Sequence, residues 1–213
     1  MTKLQPLSAP PDVVVLCCIP LDRDSWTQVA ALPPLGDFVR FVAEVRLKSS
    51  VPDAWSFFSK EAHFISRKLD EIELRGMEVV RAATPADLAR VAMQYRNVVL
   101  IAHWKGMVLP SDADFPCCRL EMHNAMLTAE EFTDLFPNDF AGTVHMIVCT
   151  SDIPAETFRR KHPDVICICS DEPMLVGLSL AKLEAALRLM QTDALPLWKA
   201  LLQAGKLVDS LGR

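Results

Sequence analysis

The sequence predicts an α/β sandwich of three layers, a mostly parallel sheet with helices on both faces. Two observations lead there. Four short runs, Asp12–Ile19, Asn97–Ala102, Thr143–Cys149 and Asp164–Ser170, with a weaker one at Met77–Ala82, are rich in Val and Ile and apolar almost throughout. Strands covered on both sides read this way, whereas strands with one wet face alternate. Helical patterns lie between the runs, and strand–helix alternation is the order of parallel sheets with right-handed crossovers.

The elements follow in turn. After the first run, Phe38–Leu47 fits both a period-two strand and a β-branched helix, and its type stays open. Trp55, Phe58, Ala62, Ile65, Leu69 and Ile72 recur at steps of three and four, the stripe of an amphipathic helix, and Gly76 stands where a helix stops. The charged residues between Lys60 and Arg75 carry both signs and read as its solvated face. Thr84-Pro85-Ala86-Asp87 is an N-cap with Pro at the first helical position, opening a helix to about Tyr95. Pro110, Pro116 and the alternation of Cys118, Leu120 and Met122 make Lys105–Asn124 a small β-hairpin. Thr128-Ala129-Glu130-Glu131 is a capping box opening a helix through Phe136. Further helices are predicted at Ser151–Lys161, Leu175–Met190 and Leu197–Leu211.

With 213 residues, no repeats and no linker, the chain reads as one domain over residues 1–213. A formal charge of −5 without a basic run argues against direct nucleic-acid or membrane binding. The seven glycines form no phosphate-cradling loop, which removes Rossmann and P-loop chemistry, and no cofactor is implied. Val13–Ile19 is far short of a membrane span and lacks the flanks of a signal peptide, so a cytoplasmic location is expected. Seven cysteines, an odd number with two adjacent pairs, make no disulfide framework. No Cys or His spacing suits zinc, and most thiols read as small buried groups in a reducing compartment.

In open parallel sheets the working residues gather beyond the carboxyl ends of the strands. Val98–Ala102 runs into His103, and Val144–Val148 runs into Cys149. On neighbouring strands the imidazole and the thiol could meet across that rim, share a proton and give a thiolate nucleophile. The helix predicted after Cys149 would favour the thiolate with its positive end. Asp152, Asp171 and Glu172 follow the last two strands and are candidates for an acidic pocket floor that would select a basic P1 residue; Asp152 and Asp171 could equally be helix N-caps. His123, in the hairpin, reads as exposed, and His145 as a packed structural residue.

The ordered set of motifs resembles the caspase-like cysteine peptidases, and within them the CHAT branch of bacterial conflict and signalling systems. Four places carry the resemblance: the strand into His103, the stretch Leu120–Phe132, the strand into Cys149-Thr150-Ser151, and Leu197–Leu202 with Gly205. His103 and Cys149 are 46 residues apart, against roughly 50 in caspase-type peptidases. The resemblance implies a caspase-like three-layer sandwich and a cysteine endopeptidase with Cys149 as nucleophile and His103 as general acid/base. It also implies an oxyanion site from the backbone amides of Gly106 and Cys149, a protein substrate, and a separate regulatory or sensor protein in a defence complex. The family commonly has Gly directly after its histidine, whereas here Trp104 and Lys105 precede Gly106; the Q-A-C-x-G signature is absent too. A catalytically impaired scaffold of the same fold is therefore the alternative, and a generic flavodoxin-like receiver or ligand-binding domain a third.

Overall fold

The computed structural model describes residues 12–30, 48, 50–105, 119–148, 151–170 and 176–211. Strands β1 (Val13–Cys17), β2 (Glu78–Arg81), β3 (Asn97–Ile101), β7 (Thr143–Ile147) and β8 (Ile166–Ile168) form one sheet in the order β2-β1-β3-β7-β8. All four pairings are parallel. The chain leaves β1 toward β2 on one side and returns to β3 on the other. That reversal makes the gap between the carboxyl ends of β1 and β3 the topological switch point of a doubly wound sheet. The predicted element at Phe38–Leu47 lies outside the described residues.

Seven helices flank the sheet among the described residues: α1 (Arg23–Ala30), α2 (Val51–Glu73), α3 (Pro85–Ala92), α4 (Ala129–Asp134), α5 (Asp152–Lys161), α6 (Val176–Asp193) and α7 (Leu197–Leu211). Because strand side chains alternate in direction, each central strand feeds two cores. Val14, Leu16, Val98, Leu100, Val144 and Met146 pack with Leu88 and Val91 of α3, Phe132 of α4 and Phe158 of α5. Val13, Val15, Val99, Ile101 and Ile147 face Ile65, Leu69 and Ile72 of α2, Leu180 and Leu183 of α6 and Leu197 of α7. Helices thus cover both faces, a mixed α/β arrangement compatible with three layers.

The continuous apolar runs do describe β1, β3 and β7, whose hydrophobic residues are fully buried. The edge strands differ. β2 is half-buried throughout and β8 is only three residues long with Ile166 40% exposed, because each pairs on one side only. Local capping matches the sequence: Thr84 and Thr128 accept from the backbone N–H of Asp87 and Glu131, whose carboxylates bond back. Gly76 takes φ +85°, a left-handed conformation suited to glycine, just beyond α2.

Two expectations need correction. The charged face of α2 is not simply solvated. Lys68 and Arg75 donate to Glu184 of α6 at 2.9 and 3.1 Å, which draws these two side chains inward, whereas Asp70 and Glu73, paired with Arg81 of β2, stay exposed. The excursion is also more than a hairpin. β4 (His103–Lys105), β5 (Arg119–Met122) and β6 (Ala125–Leu127) form an antiparallel three-stranded sheet. It is fixed to the domain by Leu120 and Met122, which enter the core beside α3 and α4.

Candidate catalytic rim

β3 and β7 are adjacent, and their register runs from Asn97↔Thr143 to Ile101↔Ile147, so the two strands end level. The Ala102 N–H donates to the Ile147 carbonyl at 3.4 Å, carrying the pairing one residue further. His103 stands two positions after Ile101, and Cys149 is two positions after Ile147 in the sequence. Cys149 itself lies outside the described residues, as do Gly106, Asp171 and Glu172.

His103 is at the carboxyl rim and also begins β4, directly opposite Glu121 of β5. Its side chain is exposed. The protein around the ring lowers its pKa by desolvation, and the negative charge of Glu61 on α2 opposes that shift. A neutral ring is the form that can accept a thiol proton, and Glu61 then favours the imidazolium that results.

Asp152 is exposed in the first turn of α5. It is not the N-cap: Ser151 holds that position, and no side-chain cap bond is made there. Ser151 is instead buried, bonded to the turn after β8: its N–H donates to the Ser170 carbonyl at 2.8 Å, and its hydroxyl accepts from the Ser170 N–H at 3.0 Å. The loops after β7 and β8 are thereby tied together, and the start of α5 is positioned behind the rim.

Further groups gather near the switch point. Asp22, after β1, accepts from the N–H and hydroxyl of Ser25 at 2.8 Å each, and these bonds hold its carboxyl below the ordinary range. His123 is not exposed as the hairpin suggested. It is half-buried, its N–H donates to the Ala83 carbonyl at 3.0 Å, and its Nδ1 is buried without a partner. β5 and β6 dock against the end of β2 and bring it inside.

The cysteines separate by environment. Burial pushes the thiols of Cys17 and Cys167 up to about 12, and that of Cys18 well above its ordinary value. Thiolate formation, and with it nucleophilicity, is disfavoured at all three. Among the described residues no three His, Cys, Asp or Glu side chains gather as a metal site, and no helix is long and apolar enough to cross a membrane.

Sequence reasoning missed Glu61, Glu121 and Asp22. The charge of Glu61 acts on His103 from a helix 42 residues upstream in the sequence, and Glu121 stands opposite it on a strand beyond a long connection. Neither carries a local signal. Asp22 could have been found, because Asp22-x-x-Ser25 at the start of a helix is a capping pattern. Comparisons with protein-family models and with curated proteins find no match for this chain.

Proposed function

We propose that the chain is a cysteine endopeptidase of the caspase-like class, CHAT branch, acting in the cytoplasm on a protein partner as a regulated subunit of a bacterial defence or signalling system. The observation that supports this is the level ending of the adjacent strands β3 and β7, with His103 and Cys149 each two positions beyond its strand in the sequence. In the proposed reaction, His103 takes the Cys149 proton and the thiolate attacks the scissile carbonyl carbon. The imidazolium then protonates the departing amine, and water, deprotonated by the same ring, cleaves the thioester. The amides of Gly106 and Cys149 would hold the oxyanion. Asp152, with Asp171 and Glu172, would give the pocket an acidic floor selective for Arg or Lys at P1.

A second reading, a catalytically impaired scaffold, is favoured by one observation. The residues directly after His103, where a glycine would serve the oxyanion, are Trp104 and Lys105, and both are paired with β5. A panel of fluorogenic peptides differing only at P1 separates the two. Cleavage after Arg or Lys that vanishes in Cys149→Ala is the expected result. Preference for Asp at P1 would overturn the acidic pocket, and absence of any Cys149-dependent cleavage would favour the scaffold.

A further inference from the structure

Cys167-Ile168-Cys169 is a C-x-C sequence that the peptidase chemistry does not use. Cys167 lies on β8, and Cys169 follows its last residue, Ile168. Side chains alternate along a strand. Ile166 and Ile168 accordingly turn toward α6 and α7, whereas Cys167 and Cys169 both pack on the other side, against the core that holds Ala155 and Phe158 of α5. Both thiols are half-buried, in contrast to Cys17 and Cys18, which are buried.

A cation spans the pair. Nη2 of Arg159, in the last turn of α5, donates to the Cys169 sulfur at 3.4 Å and to the Cys167 carbonyl at 3.0 Å. Among the described residues these are the bonds its guanidinium makes, and no carboxylate neutralises it. Burial pushes the Cys167 thiol up to about 12, and the charge of Arg159 opposes that shift.

Spacing decides what the two sulfurs can hold. At about 3.3 Å per residue, alternate positions of a strand stand about 6.6 Å apart with side chains parallel. A disulfide needs Cβ atoms about 3.5–4.5 Å apart, so closing one would require the backbone to leave its extended form. An ion between the sulfurs relaxes that demand, because two metal–sulfur bonds of about 2.3 Å span up to about 4.6 Å. Zinc takes four ligands, and among the described residues no third His, Cys, Asp or Glu joins these two. Soft thiolate donors select Cu(I), a monovalent ion that two of them satisfy. Binding exchanges both thiol protons for the ion and leaves a single negative charge on the bis-thiolate centre, opposite the guanidinium.

We propose that Cys167 and Cys169 form a two-coordinate site for Cu(I), with Arg159 balancing its charge. The site stands independently of the peptidase reading.

The test is an anaerobic titration of the reduced full-length chain against the Cu(I) complex of bicinchoninate, whose colour reports the ion withdrawn. One tightly held Cu(I) per chain is expected, with two sulfur neighbours and no nitrogen by X-ray absorption at the copper edge. Cys167→Ser and Cys169→Ser should each abolish it at an unchanged thermal midpoint of the metal-free protein. The triple variant Cys117→Ser/Cys118→Ser/Cys149→Ser should retain it. Arg159→Gln should weaken it by about tenfold, the equivalent of one ionic contact. Absence of competition with the probe, an equivalent that survives either Cys167→Ser or Cys169→Ser, its loss in the triple variant, or unchanged affinity in Arg159→Gln would each overturn the proposal.

Discussion

Lowering the pH should destabilise this protein through His145. The imidazole is buried on β7 against Ile168 of β8, and desolvation lowers its pKa from 6.5 to about 4. Below pH 6.5 the unfolded chain takes up a proton that the folded chain refuses until about pH 4, so folded-state stability falls across that window and is unaffected above it. At about 1.4 kcal/mol per pH unit, a shift from 6.5 to about 4 amounts to about 3 kcal/mol at the acid end. The loss at pH 5 is about 2 kcal/mol. Urea denaturation at pH 7.5 and pH 5.0, for the wild type and for His145→Leu, measures it. Other titrating groups act alike in both proteins, so the difference between the two pH dependences isolates His145. The wild type should lose about 2 kcal/mol more than the variant. Parallel losses would refute the reasoning, as would an imidazole titration midpoint near 6.5 for His145 by NMR.

Phe158 meets Phe132, Phe136, Phe140 and His162 at ring-centroid distances of 4.7–6.5 Å and is fully buried, so Phe158→Ala should lose about 3–5 kcal/mol of unfolding free energy. Chemical denaturation checks this, with Phe158→Leu expected to lose clearly less. At Gly142 a Cβ would lie 1.9 Å from the backbone oxygen of Arg96, which accepts from the Thr143 N–H, so Gly142→Ala should cost about 2 kcal/mol or more and lower the melting temperature. Glu184, held at about 2 by Lys68 and Arg188, contributes stability above pH 4.5 that is lost as pH falls through 2. Discounted for screening at its half-wet site, Glu184→Gln should cost about 1–2 kcal/mol at pH 7 and flatten the acid limb below the His145 window.

What the sequence made legible was local or periodic. The capping boxes at Thr84 and Thr128 involve residues three apart, and the Ile65–Leu69–Ile72 stripe repeats on one face of one helix. Strand order and the level ends of β3 and β7 rest on pairings between distant segments, for which apolar runs give membership but not register. The same limit hid the second sheet, where β4 pairs with a strand that begins at Arg119. It hid the link from α2 to Glu184, since a charged helix face looks solvated until the neighbour bearing the opposite charge is known. At the rim, His103 was legible because a polar residue ends an apolar run. Glu61, whose charge acts on it, was not.

Site-resolved alkylation tests the proposed chemistry most directly. The native protein is treated at pH 7 with a peptide-based electrophile, and each of the seven cysteines is quantified by mass spectrometry. Fast modification should fall on Cys149, with Cys17 and Cys18 protected by burial, and His103→Ala should slow it by orders of magnitude at unchanged melting temperature. Comparable rates at Cys149 and at several other cysteines, or a Cys149 rate indifferent to His103, would contradict a thiol and an imidazole that share a proton.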